Sequence, residues 1–326
     1  MNNCFQFQAR RSGGRSAKLF YLVLALGAAL ANPWSHLLAQ SDDFDDGNDA
    51  GWTRYNPFAG AGLNIATWGF TNGGYRMRTT APSPSAQLGA GRAGSVRAEV
   101  YTNFYIAVDI VDWDDTLPHA AGILARVQTP GLGTTTGYAF TWDRGNPASP
   151  TAGDVDISRI TAEAPSGVVV VGADQIHLEP GKSYRFVFIG RDTQLEGRVY
   201  ELPDTITPKV TIVGNDAAYS FGVPGLVIYD NSTGATNICD ITFDNFFATP
   251  VEPPRLQMKD VAFGFYEVYW PREASDFVLQ SSTVLPGTAA DWIDELDIIA
   301  ADDRYYFIME ASGVFGPKQF FRLVRR

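Results

Sequence analysis

"LEPGKSYRFVFIGRDTQLEGRVYEL", residues 178–202, decides the fold class. Tyr184, Phe186 and Phe188 recur at every second position of the run 183–191, and the run 195–202 alternates in the same way. A period of two sends successive side chains to opposite faces, which is the mark of a strand with one buried face. Asp192, between the two runs, supplies a turn residue.

The same pattern spreads in both directions. Residues 104–113 put Phe104, Ile106, Val108 and Ile110 on one face. Residues 137–143 do so with Tyr138, Phe140 and Trp142, and the runs 122–129, 225–230 and 240–246 follow suit. Turns rich in Gly, Pro and Asp separate them. Many short antiparallel strands at this spacing predict an all-β chain built as a two-sheet sandwich. The segment 81–94, "APSPSAQLGAGRAG", reads as a loop within it.

Three prolines in "ATPVEPPRL" (248–256) interrupt the pattern. Proline cannot donate to a ladder, so 249–256 reads as a stiff linker. Four more strand-like runs follow, "FYEVYWP", "FVLQSST", "RYYFIME" and "QFFRLVRR". The expected organisation is a large sandwich over 41–248, the linker, and a small β-sandwich over 257–326.

Residues 1–18 carry Arg10, Arg11, Arg15 and Lys18 and no acid, and "LFYLVLALGAALA" (19–31) is apolar. A basic start, a short apolar run and a small-residue exit read as a secretory signal ending near Ala39 or Gln40. The apolar run is short for a bilayer span. The predicted location is secreted, periplasmic or extracellular, with no membrane attachment once the signal is cleaved. The whole chain has 25 Lys+Arg and 36 Asp+Glu; without residues 1–40 it has 21 against 36, a formal net of −15. That charge repels phosphate backbones and argues against a nucleic-acid partner. Cys239 is the one cysteine beyond residue 40, so an intramolecular disulfide is excluded there.

With "FDDG" and Trp52 at the start, the quoted stretch in the middle and "TFDNF" at the close, residues 42–247 resemble a secreted concanavalin A-like (laminin G-like) jelly roll. The last 70 or so residues resemble a small fibronectin type III-like or immunoglobulin-like module. The first resemblance implies a concave sheet that often binds polysaccharide or protein, and it implies no activity. On such a face Trp113, Arg126, Tyr138 and Trp142 are the ligand-binding candidates. Rings stack on sugar faces and a few polar groups fix orientation. The alternative for Tyr138 and Trp142 is the core between the sheets.

"SDDFDDGNDAGW" (41–52) concentrates aspartates at the first strand. With Gly47 at loop position 6, an EF-hand would have Phe44 at position 3 and Thr53 at position 12, which fails twice. Jelly rolls commonly pair their first and last strands. That pairing would bring Asp43, Asp45 and Asp46, with Asp42, near Asp240 and Asp244, where a structural calcium ion would relieve their repulsion. The other reading is an acidic strand and turn facing water, with Phe44 buried.

Catalytic signatures are missing. The E-x-D-x-x-E of laminarinase-type glucanases has no match: "GDVDISRI" (153–160) offers Asp154 and Asp156 without a glutamate, and "DELDII" (294–299) lacks the second Glu. His119 and His177 are isolated and read as surface residues. Cys239, among apolar strand residues, reads as buried and inert. The expected function is non-catalytic binding of a glycan or cell-surface polymer. A glycoside hydrolase with an unrecognised carboxylate pair and a structural or adhesive surface protein are the alternatives.

Overall fold

The computed structural model describes residues 39–80, 90–149, 151–170, 176–230, 238–262, 265–272, 274, 277–282, 291–301, 303–310 and 320–325. The signal-like stretch lies outside them except for residues 39 and 40, and so does most of the loop 81–94. No helix among the described residues is long and apolar enough to cross a membrane.

The strands of the large sandwich run in chain order. They are β1 (Gln40–Asp42), β2 (Thr53–Tyr55), β3 (Ala66–Thr71), β4 (Gly74–Thr79), β5 (Arg92–Val96), β6 (Phe104–Trp113), β7 (His119–Gln128) and β8 (Thr136–Asp143). Then come β9 (Asp154–Thr161), β10 (Ala164–Val170), β11 (Tyr184–Arg191), β12 (Gln194–Glu201), β13 (Val210–Asn215), β14 (Val223–Asp230) and β15 (Cys239–Thr249). One sheet orders them β13-β12-β11-β6-β15-β4-β3, with β1 also on β15; the other orders them β10-β9-β8-β7-β14-β5-β2. Every pairing is antiparallel. This is the expected two-sheet jelly-roll sandwich, and its first strand does pair with its last, Ser41 opposite Phe247.

The quoted stretch forms β11 and β12, paired in unbroken register from Tyr184–Glu201 to Arg191–Gln194. Phe186 and Phe188 point inward and meet Phe140 of the opposite sheet at ring-centroid distances of 5.6 and 5.8 Å. Full burial of one such side chain stabilises the fold by about 1.5–3 kcal/mol. The stretch also holds the glycines that make room for those rings. A Cβ on Gly197 would lie 2.4 Å from the Phe140 ring, and one on Gly190 would lie 2.3 Å from Phe104.

The C-terminal strands are β16 (Gln257–Ala262), β17 (Phe265–Pro271), β18 (Phe277–Ser282), β19 (Ile293–Asp294), β20 (Ile299–Ala300), β21 (Arg304–Glu310) and β22 (Phe320–Arg325). They make two further sheets, β16-β17-β21-β20 and β19-β18-β22. Val268, Trp270 and Leu279 are their buried centre.

Candidate functional site

The four residues expected on a binding face are core groups. Trp113, Tyr138 and Trp142 belong to the cluster between the sheets. Trp142 Nε1 donates to Ile176 O at 3.2 Å, and Tyr138 OH donates to Asp216 Oδ1 at 2.6 Å. Aromatics that alternate with small residues are what an inter-sheet layer needs, and that demand outweighs ligand contact here. Arg126 departs from its expected face for a different reason. The ladder between β7 and β8 slips between Ala125 and Gln128, and Arg126 takes φ +50°. A bulge reverses the side-chain alternation beyond it. Leu124, before the bulge, packs outward by plain alternation with Ile123 and Ala125. Past Ala125, Val127 joins Leu124, Val96 and Ala139 outside, and the Arg126 guanidinium turns in over the Phe104 ring at 5.4 Å.

The expected metal set does not assemble. Asp240 is gripped by Arg76, at 2.7 and 2.5 Å, and by Arg78 at 2.9 Å, so its charge is already met. At the chain's acidic start the carboxylates cap turns. Asp42 accepts from Phe44 N, Asp43 from Asp45 N, and Asp46 from Asn48 N. Phe44 is buried, stacked on Tyr75 at 4.9 Å. Asp244 does stand within the field of Asp43 and Asp45. Among the described residues, however, no group of three or more His, Cys, Asp or Glu is arranged to hold a metal ion. A calcium site of six to eight oxygens does not fit this donor set.

The surface that collects rings and polar groups is the outward face of the larger sheet. Alternation places Tyr105, Ala107 and Asp109 of β6 there, with Arg185, Val187 and Ile189 of β11 and Tyr200 of β12. The cross-strand row Asp244–Asp109–Arg185–Tyr200 follows from the registers. Asp109 is buried and Arg185 donates to it through Nε at 2.7 Å and Nη2 at 2.8 Å. Asn245, at φ +50° in the bulged part of β15, adds a third bond to Asp109 at 3.0 Å. Beside this polar floor Tyr105 and Phe247 meet edge to face at 6.3 Å. Burial pushes the Tyr105 phenol up, so it remains a neutral hydrogen-bonding group at ordinary pH.

Two adjoining hollows open here, of about 320 and 210 Å³, and Tyr105, Arg185 and Pro253 line both. The proline-rich segment forms part of their wall. Glu252 accepts from Arg198 at 2.9 Å and also pairs with Arg191, and Arg255 donates to Tyr200 OH at 3.3 Å. Sequence reasoning missed this site by following the inward face of each strand. The signal was the other set of alternate positions: Tyr105 and Asp109 in "FYIAVDIVDW", and Arg185 in "SYRFVFIGR".

The remaining candidates fall elsewhere. Asp154 and Asp156 share the outward face of the smaller sheet, opposite Asp143 and Thr141 respectively. Burial pushes Asp156 up to about 6 even though Thr141 and Ser158 donate to it, and burial with Asp143 raises Asp154. His119 is not a surface residue: it is fully buried at the start of β7, and burial pushes its pKa down to about 4. Cys239 is fully buried and burial pushes its thiol far up, as an inert cysteine requires.

No protein-family model matches the chain, and no curated protein matches it. Solved structures do. A carbohydrate-binding module, CBM66, from Bacillus subtilis is 17% identical, covers 62% of this chain and 97% of its own, and has a TM-score of 0.44. Lectin II from Ulex europaeus is 13% identical over 66% of this chain and 99% of its own, with a TM-score of 0.44. A prokaryotic β-1,3-1,4-glucanase (lichenase) from a mouse hindgut metagenome is 14% identical over 65% and 99%, with a TM-score of 0.45. The likeness is one of fold; the ligands and activities of these proteins are their own.

Proposed function

We propose that this chain is an exported, non-catalytic glycan-binding protein whose site is the outward face of the larger sheet. The observation that supports this is the Asp109–Arg185–Asn245 floor with the Tyr105 and Phe247 rings beside it. Sugars offer an apolar ring face and directional hydroxyls, and this surface offers rings next to fixed donors and acceptors. Arg185 and Asp109 are already paired, so a neutral sugar suits the floor better than a charged one. The small C-terminal sheets would act as a separate immunoglobulin-like module beyond the linker.

The test is affinity electrophoresis of the full chain through a panel of neutral polysaccharides. Retardation by at least one is expected, with Tyr105→Ala and Phe247→Ala each weakening it about tenfold, the loss of one stacking contact. Equal retardation of both variants and the native chain would sink the assignment. No retardation by any polysaccharide would favour a structural or adhesive role.

A second reading, hydrolysis, draws on Asp143, Asp154 and Asp156. Residues two apart on a strand sit about 6.5–7 Å apart, in the range used by paired carboxylates. Burial pushes the Asp156 carboxyl up to about 6, as a general acid beside further carboxyl groups requires. Reducing sugar released from a β-glucan, and lost in Asp156→Asn, would make this the leading reading.

A further inference from the structure

A third hollow, of about 440 Å³, lies away from both faces, at one end of the large sandwich. Both sheets contribute to it. Thr102 and Asn103 precede β6, Asp192 and Thr193 form the turn between β11 and β12, Tyr219 and Ser220 precede β14, and Arg126 comes from β7. Its volume falls in the lower part of the range of small-molecule pockets, about 300–1,000 Å³.

The walls are tied to one another. Tyr101 and Gly222 exchange two backbone bonds, of 2.9 and 3.1 Å, Asp216 N donates to Thr193 O at 2.8 Å, and Asp192 N donates to Asn103 Oδ1 at 2.9 Å. The guanidinium of Arg126 reaches three of these segments at once, donating to Thr102 O at 2.9 Å, Tyr219 O at 2.9 Å and Asp192 O at 2.8 Å. Arg126 is 2% exposed, and the bulge at its φ of +50° turns it to this end. A hollow held in this way is formed before a ligand arrives, so binding need not order its loops.

Its charges balance. Asp192 lines the hollow and its carboxylate acts on the Arg126 guanidinium, so one anion and one cation border the same space. A charged ligand would meet one of them as a like charge, and a neutral ligand meets neither penalty. Both groups keep bonding capacity. The three carbonyls use three of the five guanidinium N–H groups, one on each nitrogen, and no described residue donates to the Asp192 carboxylate. A carboxylate can accept from two adjacent hydroxyls, one on each oxygen, while a guanidinium N–H donates to a third oxygen. The hydroxyls of Thr193 and Ser220 stand beside them. The Tyr219 ring adds an apolar wall, fixed edge-on to Tyr138 at 5.4 Å and bonded through its OH to Thr161 at 2.8 Å. A ring next to donors and acceptors of both kinds, without net charge, suits a neutral polyhydroxylated ring.

We propose that this hollow is a second binding site, for a free neutral hexose held through a pair of adjacent hydroxyls. Asp192 accepts from the pair, Arg126 donates to a further sugar oxygen, Thr193 and Ser220 bond the remaining hydroxyls, and Tyr219 packs on the sugar ring. The site shares no residue with the groove on the larger sheet, so it stands or falls independently of polysaccharide binding there.

Ligand-observed NMR titration of the full chain with D-glucose, D-galactose and D-mannose tests this, with D-glucuronate as the charged control. At least one hexose is expected to saturate with a Kd on the order of 1 mM, and glucuronate to bind no tighter. Asp192→Asn keeps the left-handed turn, which asparagine tolerates, and removes the anionic acceptor, so hexose affinity should fall about tenfold. Thr193→Val with Ser220→Ala should lower it about fivefold at an unchanged melting temperature. In Tyr105→Ala, which disables the groove, the hexose should still bind. Saturation by none of the three hexoses, tighter binding of glucuronate, native affinity in Asp192→Asn or in the double variant, or loss of hexose binding in Tyr105→Ala would each overturn the proposal.

Discussion

Arg185 and Asp109 stand directly opposite each other on β11 and β6, joined by two hydrogen bonds of 2.7 and 2.8 Å. The side chain of Asp109 is 2% exposed and that of Arg185 is 32% exposed. The pair is therefore buried at its acidic end and open to the hollows at its basic end.

That asymmetry predicts unequal mutants. Arg185→Ala strands a carboxylate with Asn245 as its remaining side-chain donor among the described residues, and should cost about 2–3 kcal/mol, below the figure for a fully buried pair because Arg185 is partly solvated. Asp109→Asn leaves an arginine that can turn to water, and should cost about 1 kcal/mol. Urea midpoints at constant slope give both numbers. Equal losses would show that the buried end carries no special penalty.

His119 makes the fold acid-sensitive. Its Nδ1 accepts from Asp240 N at 3.4 Å, its Nε2 has no partner among the described residues, and it lies among Asp114, Asp115, Asp240 and Arg144. Burial outweighs the three carboxylates and sets its folded pKa at about 4, against 6.5 for the ordinary group. The unfolded chain then binds the proton first. Stability is full above pH 6.5, declines as pH falls, and levels off near pH 4, for a loss on the order of 3 kcal/mol. His119→Asn keeps an acceptor for Asp240 N and cannot titrate. The stability gap between it and the native chain should shrink across that window; a constant gap would mean that His119 is protonated in the fold.

Asp156 acts with the opposite sign. Its folded pKa of about 6 lies above the ordinary 3.8, so the folded chain binds the proton first and its ionised form costs stability above pH 6. Asp156→Asn should raise the melting temperature by about 2–6 °C at pH 8 and have little effect at pH 3.5. A variant less stable at pH 8 would show that the hydroxyls of Thr141 and Ser158 favour the carboxylate more than burial disfavours it.

The strand pattern was legible because each inward run is apolar at strict period two, from Phe104–Ile110 to Tyr184–Phe188. β10 and β13 were not read: "APSGVVV" does not alternate, and the exposed face of β13 includes Val213. Arg126 was read on the wrong face because a bulge leaves no trace in composition. The groove was hidden for a simpler reason. Period two displays two faces, and the aromatic face that drew attention at Tyr138 and Trp142 is the one a sandwich buries. The linker's prolines were recognisable, but their role as a wall depends on Glu252 meeting Arg191 and Arg198 from a distant hairpin.

Asp244 tests what remains of the ion reading. Burial first, then Asp109, Asp45 and Asp43, push its carboxyl up, so its ionised form is resisted in the fold. The stability it lends is present below the ordinary pKa of 3.8 and is lost as pH rises through the folded value. Asp244→Asn should therefore raise the melting temperature at pH 7 by about 1–3 °C, and the gain should vanish near pH 3.5. The turn bonds made by Asp43 and Asp46 and the ion pairs of Asp240 leave too few oxygens converging here for calcium, so millimolar calcium should not move either melting curve. A calcium-dependent rise in the native chain, lost in Asp244→Asn, would show that an ion bound only to the folded state takes up the repulsion instead.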